Sequence, residues 1–170
     1  MKFPTIETQR LFLRAPNARD LEWAFTRLSG WECLATAPLA GRQAFRQMHV
    51  LLTHWQLSGF GMFAVLPEGA DTPMGLVGPW QPSGWPEPEI GWLVWRRSDD
   101  AIELTAEAVN ATVHHASGML GWREAASFLC PSDGRSLAVA ELTGALADPF
   151  ADRAGAIAWR YPATPLPRAA

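Results

Sequence analysis

The chain has 170 residues, of which 48% are hydrophobic and 18% are charged, and its formal net charge is −3. That length and composition fit one globular domain with a full hydrophobic core, and they exclude an intrinsically disordered chain. Because no block of basic residues is present, the sequence argues against a nucleic acid as a partner.

The first half of the chain is predicted to hold a strand, two helices and a strand hairpin. Polar and apolar residues alternate in the first of these segments, which is typical of a half-exposed strand. Asn17 is of the residue type that caps a helix, and apolar residues at helical spacing predict two amphipathic helices. The predicted elements are a strand over 8–14, helices over 17–29 and 41–57, and strands over 60–66 and 74–80.

The second half alternates strands and helices. Apolar runs bounded by Gly, Pro and Asp predict a strand over 90–95, a helix over 100–119, a strand over 125–130, a helix over 133–142 and a strand over 156–161. The tail over 163–170 is too rich in proline to fold further, so residues 1–162 form the predicted domain. This order of elements predicts a mixed α/β (α+β) fold around one central sheet.

Cysteines, histidines and the N-terminal segment set expectations about compartment and metals. Cys33 and Cys130 are too few for a disulfide framework and are expected to be reduced thiols. The N-terminal segment lacks the apolar core of a leader peptide, and no stretch reaches the length of a membrane span. We therefore expect a cytoplasmic protein without a membrane partner. The four histidines offer no set of metal ligands, so no metal is expected.

The most informative stretch spans residues 88–108 and is predicted to form a buried strand, a short polar turn and a helix start. A helix start offers free backbone N–H groups and a positive dipole end, which is a common way to bind a phosphate group. The turn nevertheless lacks glycine and carries Asp99, Asp100 and Glu103. Asp100 and Glu103 have the spacing of a capping box, in which both acids would satisfy the N–H groups of their own helix.

Five strings along the chain carry a likeness to a known family. They are TQRLFLRAPNARD, SGFGMFAV, WPEPEIGWLVW, TAEAVNATVHHA and PSDGRSLAVAELTGA, in this order. Together they resemble the GNAT superfamily of acetyl-CoA-dependent N-acetyltransferases, above all its branch with the ribosomal-protein alanine acetyltransferases. The resemblance covers nearly the whole chain. It implies the GNAT fold, a central mixed and mostly antiparallel twisted sheet flanked by about four helices, and acetyl-CoA as cosubstrate.

The resemblance also implies which residues hold coenzyme A. The central strand would pair its backbone with the pantetheine arm, and the loop and helix start after it would hold the pyrophosphate. Ala101 and Glu103 stand where the family loop has glycines, and Asp133 stands where the family has an asparagine. The implied cofactor-binding residues are Leu93, Val94, Trp95, Arg96, Arg97, Ala101, Ile102, Glu103, Leu104, Thr105 and Asp133. Arg96 and Arg97 can equally form a solvated pair at the end of the strand.

Two residues are candidates for the chemistry. Acetyl transfer to an amine needs a base, and Glu89 opens the EIGW string beside Trp85 and Trp92, whose apolar surroundings would raise its pKa. Ser136 is the candidate for contact with the departing thiolate or coenzyme A. Glu89 can equally pair with an arginine at a strand end, and Ser136 can bond local backbone. Trp85 and Trp92 are the predicted wall of the substrate pocket, with packing as the alternative.

The sequence favours an N-acetyltransferase that moves an acetyl group directly to a primary amine of a small molecule or a peptide N-terminus. The alternative is a GNAT-like domain without catalysis that binds a ligand or partner through a tryptophan-lined cleft. A purely structural subunit of a dimer has no positive sign in the sequence, although homodimers are common for the fold that the chain resembles. No cluster of acidic residues identifies a polycationic acceptor.

Overall fold

The computed structural model describes residues 3–28 and 42–162. The predicted end of the first helix at Gly30, the start of the second at Gly41, Cys33 and the tail after Pro162 lie outside these residues. Eight strands and four helices are formed within the described residues. They are β1 Ile6–Glu7, β2 Leu11–Arg14, α1 Ala18–Leu28, α2 Arg42–Ser58, β3 Phe63–Pro67, β4 Gly75–Trp80, β5 Glu89–Val94, α3 Ala101–Leu120, β6 Ala126–Leu129, α4 Gly134–Leu142, β7 Leu146–Arg153 and β8 Ala156–Arg160.

All eight strands form one sheet in the order β1-β2-β3-β4-β5-β6-β8-β7. Every neighbouring pair is antiparallel except β5 and β6, which are parallel. This mixed, mostly antiparallel sheet with its four helices confirms the predicted fold. The pairing of β5 with β6 is confined to Glu89 and Ala126, so the two strands separate beyond that point. The separation opens an edge in the middle of the sheet.

Alternation along the strands divides the core between the two faces of the sheet. One buried cluster joins Val77 and Ile90 to Leu104 and Val109 of α3. The other joins Leu76 and Leu93 to Ala24 of α1 and Leu51 of α2. Because successive strand residues point to opposite faces, Glu89 and Leu93 share the face of α1 and α2, whereas Ile90, Trp92 and Val94 share the face of α3. Side chains of β5 next to the gap between β5 and β6 therefore lie on both faces of the sheet.

The start of α1 is closed by its own side chains. The Asp20 N–H group donates to Asn17 Oδ1 at 3.1 Å, and the Asn17 N–H group donates to Asp20 Oδ2 at 2.8 Å. Arg14 adds two hydrogen bonds to the same carboxylate, at 2.6 and 3.0 Å, and Asp20 is only 4% exposed. The predicted cap at Asn17 is thus confirmed, with Asp20 as its reciprocal partner.

Two strands were not predicted from the sequence. The short β1 pairs Ile6 with Leu13, and β7 forms the far edge of the sheet next to β8. The β7 residues, LADPFADR, include a proline and three charged side chains, so their pattern has no strand period. Strand pairing is possible because residues 149–151, including Pro149, bulge out between the paired residues Asp148 and Asp152.

Two kinds of feature are absent from the described part of the chain. No helix in it combines the length and the hydropathy needed to cross a lipid bilayer. Nor do three His, Cys, Asp or Glu side chains come together there in a group suited to a metal ion.

Candidate functional site

A groove open to solvent lies where β5 leaves β6, between the starts of α3 and α4. About 410 Å³ of space, part of it continuous with bulk solvent, lies between its walls. Most of its lining residues belong to the set predicted from the sequence: Trp92, Val94, Arg97, Ala101, Ile102, Thr105, Asp133 and Ser136. Arg135 and Val139 complete the lining. The structure therefore brings the strand, the loop and the start of the fourth helix together at one groove.

The free edge of β5 offers backbone groups to this groove. The Trp95 and Arg96 N–H groups both donate to Met74 O, at 3.1 and 3.2 Å, so they face β4. In β5 and just before it, the carbonyl groups of Ile90 and Pro88 face β6, because they accept from Ser127 Oγ and from the Ala126 N–H group. Backbone groups of successive strand residues point to opposite edges, so Trp92 and Val94 face the open edge and Leu93 faces β4. Of the three predicted residues, Val94 has its backbone groups on the open side, whereas the N–H group of Trp95 and the backbone groups of Leu93 lie on the β4 side.

At the start of α3, the predicted capping box does not form. Asp100 is the N-cap residue, but its side chain makes no capping hydrogen bond. Its carboxylate instead accepts from the Ser98 hydroxyl and, at 3.2 Å, from Arg96 Nη2. The hydrogen bond from Ser98 is the largest cause that lowers the pKa of Asp100. Arg96 is thereby committed to the loop and does not line the groove.

Glu103, which would repel a phosphate if it pointed into the groove, is turned outward. Its side chain is 67% exposed and lies 3.6 Å from Arg10 Nη1. Arg10 also binds Glu107 at 2.7 Å, one turn further along the same helix. The carboxylate of Glu103 is not among the groups that line the groove.

Two helix starts offer unused backbone donors at the groove. The Ala101 N–H group donates to Ser98 O and the Leu104 N–H group to Asp100 O, whereas no described residue accepts from the N–H groups of Ile102 and Glu103. At the start of α4, Asp133 caps the Ser136 N–H group at 3.2 Å. Because both helices direct their N-terminal ends at one groove, their dipoles favour an anion there.

The charged side chains of the groove add to this preference. Arg97 and Arg135 both line it, and neither forms an ion pair with any residue that the structure describes. Asp133 is the carboxylate among the lining residues. Two arginines without an ion-pair partner among the described residues outnumber one aspartate that caps α4, so the charge of the groove is net positive and suits a phosphate ligand.

Ser136 and Trp92 form a chain of hydrogen bonds in the same groove. Trp92 Nε1 donates to Ser136 Oγ at 3.2 Å, and Ser136 Oγ donates to Asp133 Oδ2 at 2.7 Å. The Ser136 proton is therefore directed at Asp133. The sequence placed Trp92 in a substrate pocket with Trp85, but the structure brings it to the groove with the predicted cofactor residues, on the other face of β5 from Glu89.

Glu89 lies at the base of the opening between β5 and β6, since it is the residue that pairs with Ala126. It is 7% exposed, and its Oε1 atom accepts from Trp85 Nε1 and pairs with Arg153 Nη1. No hydrogen bond from a described residue reaches Oε2. Burial is the largest influence on this carboxyl group and raises its pKa above 4.5, against the lowering effects of Arg153 and Trp85. The arginine pairing weighed as an alternative for Glu89 is thus present.

Two further residues of the site were missed in the sequence. Arg135 belongs to the first turn of α4, two positions after Asp133, and its place in the PSDGRSL string was a usable signal. Arg153 had no such signal because its strand, β7, was not predicted. The structure adds it through an edge strand that reaches Glu89.

Comparison with known families gives one extended match. The family model described as Acetyltransferase (GNAT) domain matches residues 10–145, which include every predicted site residue. No curated protein matches the chain.

Solved structures with the same fold include several acetyltransferases. An acetyltransferase from Agrobacterium tumefaciens str. C58 is 25% identical, with a TM-score of 0.82 and 95% of both chains covered. The ribosomal-protein-S5-alanine acetyltransferase from Vibrio fischeri is 14% identical, with a TM-score of 0.65, 96% of this chain and 99% of that chain covered. A ribosomal L7/L12 alpha-N-protein acetyltransferase in complex with coenzyme A is 12% identical, with a TM-score of 0.65, 92% of this chain and 95% of that chain covered. The last two structures are 14% and 12% identical to this chain, so their similarity shows a shared fold alone.

Proposed function

Because the chain belongs to the GNAT acetyltransferase family, we propose that it moves the acetyl group of acetyl-CoA directly to a primary amine of a small molecule or a peptide N-terminus. The observation that carries the proposal is the groove at the open edge of β5. It combines free backbone groups, two helix starts and two unpaired arginines at one place. A long ligand with a diphosphate at one end requires this combination.

The diphosphate and the pantetheine arm of coenzyme A each have a counterpart in the groove. The diphosphate would accept from the N–H groups of Ile102 and Glu103 and from the side chains of Arg97 and Arg135. The pantetheine arm would lie along the open edge of β5, where the backbone of Trp92 and Val94 is unpaired. The replacement of a family glycine by Ala101 causes no backbone strain, because Ala101 does not have a left-handed (positive φ) conformation. Within the described residues, Ala154 is the single residue other than glycine with a positive φ angle.

Glu89 would act as the general base. The amine nitrogen forms a bond to the acetyl carbon, the C–S bond breaks, and the electron pair leaves with the sulfur of coenzyme A. Glu89 Oε2 takes the proton that the amine must lose, directly or through one water molecule. Burial favours this role because it raises the pKa of Glu89 toward the pH at which the enzyme works. The Val94 N–H group would stabilise the negative charge that develops on the acetyl oxygen.

Ser136 is better suited to binding than to proton donation. Its hydroxyl proton already points to Asp133, and its oxygen accepts from Trp92. We therefore assign Ser136 to a hydrogen bond with coenzyme A beside the thiol. Trp85, in contact with Glu89, would form part of the acceptor side.

One observation favours the alternative of a binding domain without catalysis. Arg153 pairs with Oε1 of Glu89, so the proposed base is already engaged in an ion pair. If that pair never opens to an acceptor, the groove would still bind coenzyme A while no transfer follows. Activity measurements separate the two functions.

Calorimetric titration with acetyl-CoA, followed by thiol release against a panel of primary amines, tests the proposal. We expect binding in the wild type and in Glu89→Gln alike, and turnover in the wild type alone, because the amide cannot accept the proton. Absence of binding heat at millimolar acetyl-CoA would rule out acetyl-CoA as the cosubstrate. An unchanged rate in Glu89→Gln would remove Glu89 from the mechanism.

A further inference from the structure

The hairpin of β7 and β8 places Arg153 next to Glu89. Asp148 pairs with Ala158 and Asp152 pairs with Ile157, so residues 149–151 have no partner on β8. In an unbroken register, Phe150 would lie opposite Ala156. Because of the bulge, Arg153 instead lies opposite Ala156, and Phe150 is 97% exposed.

A tight turn fixes Arg153 at the end of its strand. Ala154 and Gly155 have φ angles of 54° and 83°, both left-handed, as a two-residue type I′ turn requires. Alanine rarely adopts this backbone conformation, and a strained residue next to a candidate site is often part of its design. Asp152 Oδ1 accepts from the Gly155 N–H group at 3.4 Å and supports the turn.

The guanidinium of Arg153 lies between two aromatic rings and a carboxylate. Its central carbon is 3.9 Å from the ring centre of Phe128 and 4.5 Å from that of Trp85, and Nη1 pairs with Glu89 Oε1. Stacking on two rings holds a planar cation in one orientation at little entropic cost. Trp85 donates to the same oxygen, so both contacts of Glu89 converge on Oε1 and leave Oε2 without a described partner.

We propose that Arg153 is a positioning residue for acetyl transfer, which holds Oε1 of Glu89 and keeps this buried carboxyl group ionised so that Oε2 can take the proton of the acceptor. The inference rests on the proposed role of Glu89 as the base. Without a cation beside it, a carboxyl group buried to this degree favours its protonated form, in which it cannot act as a base.

Other charged groups near Glu89 do not replace Arg153. Glu87, in the loop before β5, raises the pKa of Glu89 because it carries a like charge. Arg160 of β8 lies in the same region, but its guanidinium binds Glu87 and Asp148, each at 2.8 Å. Among the described residues, Arg153 is the cation that contacts Glu89.

The test follows the ionisation of Glu89 itself, which requires no knowledge of the acceptor. The side-chain carboxyl carbons of glutamate are titrated by NMR in the full chain, and the Glu89 signal is identified by its loss in Glu89→Gln. In Arg153→Gln we expect the titration midpoint of Glu89 to rise by about one pH unit or more, the usual effect of removing an adjacent opposite charge. Arg153→Lys keeps the charge and should leave the midpoint near that of the wild type.

The rate profile gives the second readout. The acidic limb of kcat/KM should move to higher pH in Arg153→Gln by the same amount as the NMR midpoint, so that the loss of rate disappears as pH rises. An unchanged midpoint, or a loss of rate equal at every pH, would overturn the inference. If the midpoint moves but Glu89→Gln still transfers acetyl groups at the full rate, the failure lies in the proposed base.

Discussion

Helices α1 and α3 begin with the same pattern of side chains and end up with opposite properties. Asn17 and Asp20 stand three residues apart at the start of α1, as Asp100 and Glu103 do at the start of α3. In α1 the pair forms a reciprocal cap, and the helix start is closed. In α3 neither acid bonds to the helix, and the start stays open toward the groove.

The difference comes from the cations and hydroxyl groups around each pair. Arg14 approaches Asp20 from outside the helix and leaves its capping bond intact. At α3, Ser98 and Arg96 bind the carboxylate of Asp100, and Arg10 draws Glu103 away. Capping-box spacing therefore permits a closed helix start, but the neighbours of the two side chains decide whether it forms.

The largest effect is expected when the closed start is broken. Asp20→Ala removes the reciprocal cap and leaves Arg14 without its partner, which should cost about 3 kcal/mol of unfolding free energy, at the low end for a buried pair because Arg14 is partly exposed. Urea denaturation measures the loss. Asp100→Ala is the matched control: it should lower the denaturation midpoint far less, because Asp100 does not cap α3 and its contacts with Ser98 and Arg96 are exposed to solvent. Equal losses in both variants would contradict the contrast.

The open start is tested through its cationic partners. Arg97→Gln and Arg135→Gln should each weaken the binding of coenzyme A about tenfold, and the double variant about a hundredfold, because each removes one charge-assisted contact with phosphate. Calorimetric titration with coenzyme A gives the affinities. Arg123→Gln, an exposed arginine outside the groove, serves as the control. A similar loss in that variant would mean that the effect is a general one of net charge.

The smallest effect is expected from releasing Glu103. Arg10→Ala frees this carboxylate to turn toward the groove, where it would repel phosphate, so coenzyme A should bind several-fold more weakly at low salt. The difference should fade at high ionic strength, because exposed charges are screened. Addition of Glu103→Gln should restore the affinity. If the double variant binds as weakly as Arg10→Ala, the loss arises from the broken contact with Glu107 instead.

The fold and most of the groove could be predicted from the sequence, because strand and helix periods and five local strings stand in the order of the elements. The state of the α3 start could not. It depends on Arg10, which lies just before β2 and meets Glu103 only after the sheet has formed. Arg153 could not be predicted for a related reason. The bulge that contains Pro149 removes the strand period from the sequence of β7, and the position of Arg153 is set by pairing with β8.

The single paired position between β5 and β6 has a consequence for the rigidity of the molecule. Among the described residues, a hydrogen bond from the Ala126 N–H group to Pro88 O and one from Ser127 Oγ to Ile90 O join β6 to this region, and the ion pair of Arg153 with Glu89 adds a link from β7. Strands β1–β5 and strands β6–β8 are therefore joined by few direct backbone hydrogen bonds. A ligand that binds between β5 and β6 would connect the two groups of strands. We therefore expect its binding to slow amide hydrogen exchange also in strands that it does not contact.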